Sequence, residues 1–302
     1  MSHAPLTVAL LLAAGIALEA SAQPRIEAFH VQGNVYMLVG AGSNVAVQIG
    51  DEGVLVVDTG TNAAREPLLA AIRRLSSKPI RWIVNTSLDV EHTGGNTTIS
   101  QAGQTVNGNP AAIIAHENTL SRMSAEKRAA TDLPLNSFFE DGRDFSFNGE
   151  AVFLYHVPAA HSDGDIVVYF RTSDVLVAGD IFVTTSYPVI RSDAGGGIDG
   201  FVAGLNKLLD VAVPKYLQEG GTYVIPGHGR VGDESDILEF RDMVVILRDR
   251  IASLVAKGMT LEQVMATKPT LDYDQRYATA AWTPAMFVAA VYRDLQQRKG
   301  GR

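Results

Sequence analysis

Hydrophobic positions come first in short alternating or apolar runs, at residues 26–32, 35–39, 44–49 and 53–58. Gly33-Asn34, Gly40–Gly42 and Gly50–Gly53 punctuate them, so the pattern predicts four strands joined by tight turns. The period then changes. Over 62–76 the apolar residues Leu68, Leu69, Ile72 and Leu75 share one helical face. Trp82-Ile83-Val84 predicts a short buried strand, Gly94-Gly95-Asn96 opens a further helix, Ala111–Ala115 is a strand, and Glu117 to Ala129 a helix that His116 is placed to cap.

The second half repeats the scheme. Strands are predicted at 143–147, 151–157, 165–170 and 174–178, a helix at 199–210 and a strand at Thr222–Ile225. Helices at Glu234–Ala256 and Pro284–Gln297 close the chain, with Met243, Met265, Trp282, Met286, Phe287 and Tyr292 at core-like spacing. Two β-rich halves, each closed by helices, imply sheet packed on sheet with helices outside.

Composition sharpens this picture. The 302 residues are 46% hydrophobic and 19% charged, enough to bury a sizeable core. Neither a linker nor a fixed-period repeat interrupts residues 23–302, which are read as a single domain. The apolar run at 7–18 is short for a membrane span, and Ala20-Ser21-Ala22 supplies small residues for cleavage. Residues 1–22 are therefore expected to be a signal peptide cut after Ala22, although His3 stands where a Lys or Arg is usual. The mature chain is expected in the periplasm or outside the cell, with no membrane attachment. The net charge of −8 and the lack of a basic stripe argue against nucleic acid as a partner and leave a small molecule as the expected one. Oligomeric state has no signature. There is no cysteine, so any metal must be held by His, Asp, Glu or water.

Polar residues gather just after predicted strands: Asp58 in VVDTG, residues 85–92 (NTSLDVEH), His161 in PAAHSDGD, Asp180 in VAGD and His228 in PGHG. Strand ends feeding short loops let a rigid scaffold aim side chains at one point. Taken singly each is weak, since a lone His is usually structural and a lone Asp in a Gly turn belongs to the turn. Together they are donors that a hard or borderline divalent ion prefers.

Their order resembles the metallo-β-lactamase superfamily from about residue 26 onward. NTSLDVEHTGGN at 85–96 is similar to that family's N-T-H-x-H-x-D-H-T-G-G-N segment, and Ala160–Asp165 to its A-H-T-x-G-D. Val177–Asp180 resembles its hydrophobic-G-D bridge, and Pro226–Gly229 is its P-G-H-G. The resemblance implies an α/β fold, an αββα sandwich of two mixed sheets flanked by helices. It also implies two metal positions, one on Glu91, His92, Asp180 and His228, the other on Asp89, His161 and Asp180. This chain departs from the family at three places, with Ser87 and Asp89 where the first two His stand and Glu91 where Asp stands.

The resemblance makes zinc the default among one or two divalent ions, and the oxygen-rich set leaves iron or manganese open. Such a centre activates water to attack an ester, lactone, lactam, thioester or phosphodiester. Glu91 and Asp89 are the catalytic candidates, Glu91 as base for that water. Asp58 and Ser87 are expected to brace the ligands, and Phe182, Tyr187 and Arg191 to line the substrate wall. A non-catalytic binding protein and a carboxylate-rich di-iron redox protein are the alternatives. Retention of His92, His161, Asp180 and His228 favours the hydrolase.

Overall fold

The computed structural model describes residues 24–300. The expected signal peptide at 1–22 lies outside them. No helix among the described residues is long and apolar enough to cross a membrane.

The first sheet runs β1 (Glu27–Gln32), β2 (Val35–Ala41), β3 (Ser43–Gly50), β4 (Gly53–Val57), β5 (Ile80–Val84), β6 (Ala112–Ile114) in spatial order. β1 to β4 are antiparallel neighbours, as their short turns require, whereas β4–β5 and β5–β6 are parallel. Parallel neighbours need long crossovers. α1 (Arg65–Leu75) supplies the first, and α2 (Val90–Thr93) with α3 (Asn96–Ala102) the second.

The second sheet has the order β11, β10, β9, β8, β7, built from β7 (Gly142–Phe147), β8 (Glu150–Val157), β9 (Asp165–Phe170), β10 (Val175–Gly179) and β11 (Tyr223–Pro226). α4 (Glu117–Ala125) joins the halves, and α5 (Ile198–Val211) is the crossover that sets β11 parallel to β10. α6 (Glu234–Ala256), α7 (Leu261–Ala266), α8 (Asp274–Tyr277) and α9 (Pro284–Gly300) follow. The predicted helix over 117–129 ends early, because Lys127 takes a left-handed φ of 58°.

Burial explains the layering. β4 and β10 are buried along their whole length, the mark of strands covered on both faces. Val35, Leu55, Val57 and Val84 of the first sheet pack against Val152, Leu154, Val168 and Val177 of the second. The first sheet's outer face packs Val54, Val56 and Ile83 against Leu68 and Ile72 of α1. The second sheet's outer face carries α5, α6 and α9, with Phe201, Phe240 and Phe287 in one cluster. Met243, Met265, Trp282, Phe287 and Tyr292 join that packing, while Met286 is exposed. The result is the expected αββα sandwich, with the carboxyl ends of β4, β5, β10 and β11 at one rim.

Candidate metal centre

Asp89, Glu91, His92, His161, Asp180 and His228 bring donor atoms together at that rim, and Asp58 touches them from beneath. The β4 strand ends at Asp58, a buried non-glycine residue with φ of 65°. This unfavourable backbone turns its carboxylate under the next strand's loop. Its Oδ1 accepts the Thr86 amide at 2.8 Å, and its Oδ2 accepts the Thr86 hydroxyl at 2.7 Å and lies 2.8 Å from His92 Nδ1. His92 Nδ1 thus faces Asp58 and Nε2 faces the Asp180 carboxylate at 3.1 Å, the orientation in which a carboxylate sets the tautomer of a metal-binding histidine.

After β5 the chain makes a hydrogen-bonded loop instead of a longer strand. Asn85 and Asn96 exchange amide bonds at 3.0 and 2.8 Å, and both sit with Thr59 around the His92 carbonyl. Asp89 starts the one-turn α2, which presents Glu91 outward at the rim and His92 inward. Ser87 is buried and its hydroxyl accepts the Asp89 amide at 3.3 Å. That bond braces the loop at Asp89.

The second sheet supplies the rest. His161 follows β8; its Nδ1 lies 3.2 Å from Asp165 Oδ1, and Asp165 also accepts the Ser162 amide and hydroxyl, each at 2.6 Å. Asp165, the last residue of the Ala160–Asp165 segment, thereby holds the His161 ring and its loop in place, a contact that the sequence alone does not reveal. Asp180 follows Gly179, whose φ of 52° turns the chain. His228 follows β11 and Gly227, where a Cβ would stand 2.3 Å from Asp180 Oδ1. Only glycine leaves room for that carboxylate. Asn44 of β3 bonds the carbonyls of Pro226 and Gly229, fastening this loop to the first sheet.

Donor atoms form two groups sharing Asp180: Glu91, His92, Asp180 and His228, and Asp89, His161 and Asp180. In the first, His228 Nε2 lies 3.5 Å from both Glu91 Oε1 and Asp180 Oδ1, and His92 Nε2 is 3.1 Å from Asp180 Oδ2. In the second, His161 Nε2 is 3.2 Å from Asp89 Oδ2 and 3.6 Å from Asp180 Oδ2. Ligands about 2.1 Å from a tetrahedral ion lie about 3.4 Å from one another. These spacings fit an ion better than a hydrogen-bonded core. His161 Nε2 and Asp180 Oδ1 are buried without a hydrogen-bond partner, an expense that a cation would remove.

Electrostatics agree. Burial pushes the His92, His161 and His228 imidazoles toward neutrality, yet the carboxylates around them win. His92 is raised well above its ordinary value by Asp180 and Asp58, His161 to about 10 by Asp165, Asp89 and Asp180, and His228 upward by Glu91 and Asp180. Asp180 is held below the usual carboxylate range against its burial by the three imidazoles, and Asp89 is lowered, also against burial, by His161 and Arg191. The carboxylates thus favour positive charge on this cluster, the same preference that a divalent ion would satisfy.

The cavity at the centre is about 50 Å³ and is walled by Val183, Ser186 and Val189 besides Asp89, Glu91, His161, Asp180 and His228. That is room for a few waters or an ion with its water. The three wall residues were missed in the sequence, and two of those chosen there, Phe182 and Tyr187, do not line this cavity. Phe182 is buried against Phe240, and Tyr187 is buried between Phe287 and Tyr277, its hydroxyl donating to Asp274 at 2.8 Å. Both pack into the apolar cluster of the helical layer, where their rings meet other aromatic side chains. Arg191 does reach the centre, as an ion-pair partner of Asp89. His116 caps α4 by accepting the Asn118 amide, and it stacks on His156 at 3.6 Å away from the cavity.

Residues 32–228 match the family model of the metallo-beta-lactamase superfamily. A linear primary-alkylsulfatase of Pseudomonas sp. is 24% identical over 259 residues, covering 71% of this chain and 47% of that protein. A metallo-beta-lactamase type 2 of Bacillus cereus is 22% identical over 203 residues, covering 67% of this chain and 73% of that protein. Among solved structures, the inverting sec-alkylsulfatase Pisa1 from Pseudomonas sp. superposes with a TM-score of 0.69 at 17% identity, over 89% of this chain and 50% of that one. The chain thus spans about half the length of these alkylsulfatases.

Proposed function

Because the chain belongs to the metallo-β-lactamase superfamily, whose members are metal-dependent hydrolases, we propose that it hydrolyses a small molecule at the Glu91, His92, Asp180 and His228 centre. The observation that carries this reading is the convergence of two imidazole nitrogens and two carboxylates, with Asp180 Oδ1 buried and unpartnered among them. Zinc is the proposed ion, and the oxygen share of the set admits iron or manganese.

When bound, the ion supplies hydroxide from water near neutral pH and withdraws charge from the developing oxyanion. The chain's own residues do the remainder. Asp58 fixes His92 through Nδ1, and Asp165 fixes His161 in the same way. Glu91 stands at the rim with 40% of its side chain exposed and 3.5 Å from His228, so one of its oxygens can take a proton and return it to the leaving group. Val183 and Val189 give the cavity an apolar wall, and Ser186 offers a hydroxyl to a polar substrate atom.

The similarity to proteins named alkylsulfatase and metallo-beta-lactamase adds sulfate esters to the carboxylic ester, lactone, lactam, thioester and phosphodiester classes. The apolar run at 7–18 and the Ala20-Ser21-Ala22 site support a periplasmic or secreted location. The test is elemental analysis of protein purified without added metal and then loaded with Zn, Mn or Fe, followed by a substrate screen. His228→Ala should lose the ion and, with it, at least about a hundredfold of the activity found. Retained activity in that variant rejects the metal-activated water. Absence of any ion under every loading puts the binding-protein reading first.

A further inference from the structure

The two donor groups are not equivalent. The first offers four residues, the second three, and Asp180 belongs to both. What distinguishes the second is Asp89. Its Oδ2 faces His161 Nε2 at 3.2 Å, while its Oδ1 is ion-paired with the Arg191 guanidinium.

Arg191 is not a loose surface side chain. Its backbone amide donates to the carbonyl of His161 itself at 2.8 Å, and its own carbonyl accepts the amides of Ala194 and Gly196 at 2.8 and 2.9 Å. Gly196 packs so tightly here that a Cβ would lie 2.1 Å from the His161 carbonyl oxygen. The guanidinium is aimed by a second carboxylate, Asp193, which takes Nε at 3.0 Å and Nη2 at 2.8 Å. Nη1 is thereby left pointing at Asp89, in a fork that holds its direction. The Ser87 hydroxyl beside it accepts the Asp89 amide.

We infer that Arg191 is a built-in cation that takes the place of a second metal ion, so that the centre holds a single ion on Glu91, His92, Asp180 and His228. The inference rests on the metal-centre reading above. A divalent ion on the second group would have to share Asp89 with a fixed positive charge, and would gain only one nitrogen and half of a shared carboxylate in return. Removing the arginine frees Asp89 Oδ1 and cancels the repulsion.

The experiment counts zinc per folded chain, by mass spectrometry of zinc-loaded, desalted protein, in the wild type and in Arg191→Ala, Arg191→Gln, Arg191→Lys and Asp89→Asn. Circular dichroism melts select the variants that fold, and Arg191→Gln replaces Arg191→Ala if the smaller side chain does not. The expected result is about one ion in the wild type, about two when the charge is removed, about one again in Arg191→Lys, and about one in Asp89→Asn. About two ions in the wild type, one ion in the folded charge-free variants, or loss of the ion in Asp89→Asn each overturns the inference. No ion in any of them rejects the metal-centre reading itself.

Discussion

Asp58 Oδ2 lies 2.8 Å from His92 Nδ1, and the residue holding it there has a backbone φ of 65°. Thr86 supplies two more hydrogen bonds to the same carboxylate, so a strained turn is kept in place by the histidine loop that it orients. Replacing Asp58 by Asn keeps a side chain that tolerates this backbone but loses the charge that draws the Nδ1 proton. Removing such a partner typically costs about 10- to 100-fold in metal affinity. Asp58→Asn should weaken zinc binding by about that factor with an unchanged fold, as read by competition with a chromogenic chelator. Equal affinity would remove Asp58 from any role in setting His92.

Ser87 and Asp89 frame the loop on the other side of the centre. Introducing histidine at both, Ser87→His with Asp89→His, adds two nitrogens beside His161 and dissolves the Asp89–Arg191 pair. The zinc content should rise by about one ion per chain. An unchanged content would show that the loop geometry, with Ser87 buried, does not point these positions at His161.

The pH response follows from the direction of the imidazole shifts. His161 is raised from 6.5 to about 10 in the folded, metal-free protein. A histidine whose folded value is raised contributes stability that is complete below its unfolded value and is lost as pH climbs through the folded one. The metal-free protein should therefore lose thermal stability between pH 6.5 and about 10. Zinc requires neutral His92 and His228, so its affinity should increase over the same rise. Melting curves with and without chelator should diverge as the pH increases. Curves that converge would contradict both signs.

The wall of the cavity separates two substitutions that lie next to one another. Tyr187→Phe removes a buried hydrogen bond to Asp274 and should cost about 1 kcal/mol in urea denaturation, with KM unaltered. Ser186→Trp should fill a cavity of only about 50 Å³ and lower kcat/KM at least about tenfold, with the zinc content retained. The reverse outcome would return Tyr187 to the substrate wall.

Much of this was readable along the chain. Each half's strands alternate or run apolar between glycine turns, so their order survives without tertiary information, and the ligands sit directly after strand ends. α2 escaped notice because a single turn, VEHT, is too short to display a period. The loop after Asp180 misled for a different reason. Phe182 and Tyr187 look like wall residues in sequence, but only the helices α6, α8 and α9 packing over the second sheet decide which way they turn. Nor can any local pattern foretell the Arg191–Asp89 pair, whose members are 102 positions apart.

The candidate ligands also straddle the sandwich: Asp89, Glu91 and His92 hang from the first sheet, and His161, Asp180 and His228 from the second. Neither layer alone supplies the full donor set of either group. An ion held at this rim is therefore a reporter of docking, bound only once both sheets have closed on each other. Binding there would favour the closed sandwich over any state in which the two layers have parted, which couples occupancy of the centre to the stability of the whole molecule.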